Sequence, residues 1–67
     1  MNIYINDQHH TLSTDARVST AIEALNMPGT NGIAIAVNNR VVPKGEWDTH
    51  ILADNDKITV IKATQGG

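Results

Sequence analysis

The chain of 67 residues has no cysteine and no phenylalanine, and it holds one tryptophan and one tyrosine. Without cysteine it has no disulfide staple, no thiolate metal site and no thiol nucleophile of its own. That composition suits a reducing cytosol, although other compartments tolerate it too. The five bases, Arg17, Arg40, Lys44, Lys57 and Lys62, form no run and are outnumbered by seven acids. With so few rings for base stacking and no basic patch, nucleic-acid binding is not expected. No apolar stretch approaches the ~20 residues that span a bilayer. Met1-Asn2-Ile3-Tyr4-Ile5-Asn6 shows no basic segment leading into an apolar run, so no signal peptide is expected and the location expected is cytoplasmic. A formal charge of −2 keeps such a domain soluble. Repeats and low-complexity stretches are absent.

The size allows one domain. A domain this small buries only about 60% of its unfolded surface, so its core must be used efficiently. Met1, Ile3 and Ile5 alternate with polar neighbours, the period of a half-buried strand. Asp7-Gln8 supplies turn chemistry and His9 to Ser13, centred on Leu12, offers a returning strand, so a hairpin opens the domain. Val18, Ala21, Ile22 and Leu25 recur at i, i+3, i+4 and i+7, one face of a short helix. Thr14, Asp15 and Ser19 are each able to cap its start. Asn26-Met27-Pro28-Gly29 ends it.

After Gly32, the run Ile33-Ala34-Ile35-Ala36-Val37-Asn38 places Ile33, Ile35 and Val37 on the core side of an inner strand. Asn38-Asn39 turns the chain into a short strand at Val41-Val42, which Pro43 terminates. Lys44 to Ala53 reads as irregular, anchored inward by Trp47, Ile51 and Leu52. Ala53-Asp54-Asn55-Asp56 is a turn. Lys57 to Ala63 is the final strand, with Ile58 and Val60 on one face. The order strand, strand, helix, strand, short strand, strand fits an α+β, two-layer domain, a small mixed sheet with one helix packed on one face.

The chain stops at Thr64-Gln65-Gly66-Gly67. A diglycine has no Cβ and threads into a narrow site, which makes the C-terminal carboxylate the candidate reactive group; a frayed terminus is the alternative. Residues 1–63 are read as the domain and 64–67 as a flexible tail. Extended at 3.3–3.6 Å per residue, that tail reaches roughly 13–14 Å beyond the strand.

Certain segments come together in one order within this short chain. They are Ile3-Tyr4-Ile5-Asn6-Asp7, the helix around Val18 to Leu25, Ile35-Ala36-Val37-Asn38, Val41-Val42-Pro43-Lys44 with Glu46-Trp47, Asp54-Asn55-Asp56-Lys57-Ile58, and terminal Gly66-Gly67. In this combination the chain resembles the ubiquitin-like β-grasp proteins, and specifically the ThiS-type sulfur carriers of thiamine biosynthesis, over most of its length.

The resemblance implies a carrier rather than a catalyst. A partner adenylyltransferase of the ubiquitin-activating type would spend ATP and magnesium to convert the Gly67 carboxylate into an acyl-adenylate. A persulfide sulfur would then displace AMP and leave a thiocarboxylate, and thiazole synthase would take the sulfur. Gly67 is the modified residue and Gly66 the access residue; the carrier itself binds no cofactor and is expected to be a monomer when free. The small subunit of molybdopterin synthase shares this chemistry but is longer and richer in surface aromatics, and a ubiquitin-like protein modifier would end as an isopeptide. A plain binding module with an incidental tail is a further reading.

Tyr4, Ala34, Ala36, Thr59, Ile61 and Ala63 fall on the pleat opposite the core set. If the helix covers one face, they form an apolar patch beside the tail, a docking site for the activating enzyme and the synthase. Trp47 is assigned to the core, because a small domain needs its largest side chain for burial. Adjacent His9 and His10 point to opposite faces, and with His50 remote they make a poor metal chelate. Asp54 and Asp56 are turn formers, and Lys44, Lys57 and Lys62 are solvated charges.

Overall fold

A computed structural model describes residues 1–25 and 32–62. Five strands form one mixed sheet in the spatial order β2-β1-β5-β3-β4: β1 Asn2–Ile5, β2 Gln8–Thr11, β3 Ile33–Val37, β4 Arg40–Val42 and β5 Asp56–Lys62. The hairpins β1–β2 and β3–β4 are antiparallel; β5 lies between them, parallel to β1 and antiparallel to β3. One helix among the described residues, α1 Val18–Ala24, covers one face. This is the mixed sheet with a single helix that the element order implied, and the last strand is the central one.

The core follows the two periods in the sequence. Ile3, Ile5, Ile35, Val37 and Ile58 from the sheet meet Val18, Ala21 and Ile22 from the helix, closed by Val42, Trp47 and Leu52. Leu25, Met1, Leu12, Ile33 and Val60 pack against the margin, partly buried. Each fully buried aliphatic side chain contributes about 1.5–3 kcal/mol. Isolated helices shorter than about 12–15 residues are marginal in water, so α1, with its 7 residues, is held by this packing.

Both hairpins use two-residue turns with left-handed backbone. Asn6 and Asp7 have φ of 49° and 68°, and Asn38 and Asn39 have 51° and 69°. Asparagine and aspartate tolerate that region, and two such residues in succession match the right-handed twist of the strands. The first turn corrects the expected one: it is Asn6-Asp7, so pairing resumes at Gln8 opposite Ile5. β2 is therefore Gln8–Thr11 and not His9 to Ser13, and Leu12 lies beyond its end. There Leu12 N–H still donates to Met1 O at 2.9 Å.

The helix start is a second correction. Its N-cap is Arg17; Thr14, Asp15 and Ser19 do not serve. The exposed amides of the first turn are satisfied from elsewhere: Val18 N–H donates to His50 O at 3.1 Å and Ser19 N–H to Trp47 O at 3.0 Å. Thr20 Oγ1 accepts from Arg17 N–H at 3.1 Å. An arginine side chain offers no acceptor, so no side-chain cap acts in the other direction. The end expected at Asn26-Met27-Pro28-Gly29 lies outside the described residues; α1 closes on Leu25, whose N–H reaches Ile22 O at 3.1 Å.

The segment from Lys44 to Ala53 carries a short 3-10 turn, Lys44–Glu46, and then docks on the helix start. Trp47 is buried, with Nε1–H donating to Val42 O at 3.0 Å. Leu52 is buried too, but Ile51 is 57% exposed, against expectation. Ile51 bridges Arg17 in extended backbone, so it and Leu52 point to opposite sides. The turn before β5 is Asp54-Asn55; Asp56 opens the strand, one residue before the expected start, and its Oδ2 accepts from Ala53 N–H at 2.8 Å. Ala63, expected as the strand end, lies outside the described residues.

Candidate functional site

The face of the sheet turned away from α1 is built by strand parity. In β5, Ile58 and Val60 point to the helix side, leaving Lys57, Thr59 and Ile61 on the open side. Register then places Tyr4 of β1 beside Lys57, His9 of β2 beside Tyr4, and Ala36 beside Thr59. Ala34 lies beside Ile61, and Val41 of β4 beside Ala36. The resulting face has a polar, aromatic half and an apolar half.

In the polar half, the Tyr4 and His9 rings lie 5.5 Å apart, and His9 Nε2 is hydrogen-bonded to Asn2 Oδ1 at 2.8 Å. A hollow of 610 Å³ sits there, with Tyr4, Asn6, Asn38, Lys57 and Thr59 among its walls. In the apolar half, Ile61 is 50% exposed and Val41 65%. Two alanines of β3 lie between them, a shallow strip flanked by bulkier side chains.

The expected patch is therefore largely assembled on one face. Tyr4, Thr59 and Ile61 stand on it, Tyr4 half-buried and the other two exposed. Ala36 belongs to the same pleat but is only 8% exposed, a correction to its place on an exposed face. Its methyl is short, and its neighbours Thr59 and Val41 rise on both sides. Ala63, Gly66 and Gly67 lie outside the described residues. Val41 is the member that sequence reasoning missed. The signal was present, since a neighbour of inward Val42 on a strand must face outward.

The other singled-out residues are accounted for structurally. Lys44 Nζ stands 5.9 Å from the Trp47 ring centroid. Asp54 Oδ1 accepts from Asn2 N–H at 2.6 Å, and Asp56 Oδ1 from Asn38 Nδ2 at 2.9 Å, so both acids are committed to joining turns. His10 points to the core side of β2, opposite to His9. Among the described residues, no three His, Asp or Glu side chains converge as a metal site. No helix among them is long and apolar enough to cross a membrane.

The last described strand carries the root of the tail. β5 is paired with β1 from Asp56 to Ile58 and with β3 from Ile58 to Lys62, which lies opposite Ile33. Lys62, the last described residue, thus belongs to the central strand and stands at the rim of the open face beside Ile61.

A family model described as the ThiS family matches residues 2–67. The Sulfur carrier protein ThiS of Escherichia coli (strain K12) is 33% identical over 67 residues, the whole of both chains. The crystal structure of the thiamine biosynthesis protein ThiS from Geobacter metallireducens aligns with a TM-score of 0.84 over all of both chains. Its sequence identity is 20%, and the likeness shows a common, ubiquitin-like β-grasp fold. On the family model and the full-length identity, the chain belongs to the ThiS family, whose members carry sulfur for thiamine biosynthesis and are acted on by partner enzymes instead of being catalysts themselves.

Proposed function

We propose that the Gly67 carboxylate is the atom group this carrier loads, and that the sulfur travels as a thiocarboxylate. A carboxylate is a poor electrophile because attack must break its resonance and expel oxide. An adenylyltransferase of the ubiquitin-activating type removes that obstacle. A carboxylate oxygen attacks the α-phosphorus of ATP, pyrophosphate leaves, and the acyl carbon now bears AMP as a good leaving group. Magnesium neutralises the phosphates in the partner's site and is not held by the carrier. The terminal sulfur of a partner persulfide then attacks the acyl carbon and AMP departs. A thiol cleaves the resulting acyl disulfide, leaving the thiocarboxylate on Gly67 for thiazole synthase.

The observation that carries this reading is the family match, which runs through residue 67 and so includes the diglycine. Gly67 has no side chain to crowd a tetrahedral intermediate, and Gly66 admits a close backbone approach to the nucleotide. The body supports the same reading, because the central strand β5 is the last described element before the diglycine in the sequence. The open face, with Ile61, Val41 and the alanine strip, together with Tyr4 and Thr59, is the surface on which the activating enzyme and the synthase dock in turn. A cytoplasmic location fits this reading, since a reducing compartment supplies the thiol that releases the thiocarboxylate.

Mass spectrometry of the C-terminal peptide tests this directly. Incubation with ATP, magnesium and an adenylyltransferase of this type should give an acyl-adenylate on Gly67. Addition of a persulfide donor and a thiol should then replace one oxygen by sulfur. An isopeptide on lysines of other proteins would instead make the chain a modifier, and sulfur passing to a pterin precursor would assign it to molybdopterin synthase.

A further inference from the structure

The parallel pairing of β1 with β5 ends at Ile5, opposite Ile58. One rung further, Asn6 enters the left-handed turn and its main-chain carbonyl rotates out of the ladder. Its N–H nevertheless donates to Ile58 O at 2.9 Å, and its side-chain Oδ1 accepts from Val60 N–H at 2.9 Å. In a parallel ladder, one residue donates to its neighbour strand and accepts from the amide two residues further along that strand. Asn6 completes that pattern with its side-chain carbonyl standing in for its own backbone. Asparagine is suited to this, since it tolerates φ near 49° and carries an acceptor short enough to fall where the carbonyl would have been.

Asn38 does the same at the other end of β5. Its N–H donates to Lys57 O at 2.7 Å and its Oδ1 accepts from Lys57 N–H at 3.0 Å. The two clamps differ in what they hold. Asn38 fixes the entry of β5, far from the tail. Asn6 fixes the stretch just before the exit, where no other bond from the β1 side reaches β5 among the described residues. Asn6 also shares a hollow of 450 Å³ with Leu25, Val60 and Lys62, so it stands at the root of the tail.

We propose that Asn6 is a positioning residue for loading the carrier: through Val60 it sets the direction in which β5 leaves the domain, and so where the Gly67 carboxylate arrives in the partner's site. The inference rests on the carrier chemistry proposed above. A small angular error at Val60 grows with distance along the chain, and misplacement of a reacting group by about 1 Å can cost 10²-fold in rate.

The test compares Asn6→Gly with Asn38→Gly. Both keep a left-handed turn residue and lose one backbone-mimicking acceptor, and Asn38→Gly also loses the bond to Asp56. Asn6→Asp restores the acceptor. Adenylation is followed by pyrophosphate release with the activating enzyme, and amide hydrogen exchange is read at Val60, which donates to Asn6, and at Ile61, which faces Ala34 of β3. Asn6→Gly should lose protection at both amides and lower kcat/KM by about tenfold or more, with Asn6→Asp returning most of it and Asn38→Gly changing it little. Equal kcat/KM for the two glycine variants overturns the positioning role, as does unchanged exchange at Val60 in Asn6→Gly. If the wild-type chain is adenylated by no such enzyme, the carrier chemistry itself falls, and the role of Asn6 with it.

Discussion

Trp47 occupies the place that phenylalanines share in other small cores, and it does so with a polar handle. Its ring is 6% exposed and its indole N–H is paired with Val42 O, so removing it affects both packing and hydrogen bonding. Trp47→Phe should cost about 1–3 kcal/mol, mostly by leaving the buried carbonyl unpaired. Trp47→Ala should cost about 3–5 kcal/mol, most of the stability of a domain this size. Urea unfolding followed by far-UV circular dichroism measures both without the indole fluorescence that the substitutions remove. Ile61 is the opposite case, a large side chain whose exposure adds nothing to the core. Ile61→Asp should leave the urea midpoint near that of the wild type yet weaken docking of the activating enzyme. Loss of an interface anchor of about 2 kcal/mol corresponds to roughly thirtyfold in Kd. Ile51→Asp supplies the control, because Ile51 is equally exposed but lies off the sheet face. Equal binding of the two variants would rule out the open face as the dock.

At the level of elements, the hairpin turns show a division of labour between adjacent residues. In each turn the first asparagine holds β5 through its side chain, whereas Asp7 and Asn39 make no side-chain hydrogen bond among the described residues. Asp7→Gly and Asn39→Gly should therefore keep or raise the urea midpoint, by up to about 1 kcal/mol, since glycine is favoured at the second position of such turns. Asn38→Gly should lower it, having two side-chain bonds to lose. A fall of similar size at Asn39 would show that the second position also bears a contact. The elements themselves were legible because the strands alternate and the helix repeats at i, i+3, i+4 and i+7. Their margins were less so. Asn6, Asp7 and Gln8 are all turn-compatible, and only the pairing of Ile5 with Gln8 decides between them. The helix cap was illegible because its donors are satisfied by carbonyls some 30 residues away, at Trp47 and His50, a tertiary solution with no local signature. The open face was legible by parity, save that the burial of Ala36 depends on the height of its neighbours. The sulfur chemistry proposed for Gly67 rests on resemblance, since no spacing of side chains encodes it.

Viewed as a whole molecule, the chain closes on itself: β1 and β5 are neighbours at the middle of the sheet, and both contribute to the buried cluster of the described residues. The edges are the short strands β2 and β4, so the firmest strand is also the one that leads to the tail. The described core is built from residues 1–62 and the proposed chemistry resides in the diglycine, so stability and function should separate there. Deleting Gly66 and Gly67 should leave the urea midpoint unchanged, and the activating enzyme should no longer form an acyl-adenylate on the shortened chain. Adding one alanine after Gly67 should have the same outcome for a different reason, by moving the carboxylate beyond the reacting position and placing a Cβ beside it. Competition measurements discriminate further. The shortened chain retains the whole open face, so it should still inhibit loading of the intact carrier, whereas the shortened chain carrying Ile61→Asp should not. Failure of the shortened chain to compete would mean that the tail supplies the binding energy as well as the chemistry, and that the sheet face contributes no dock of its own.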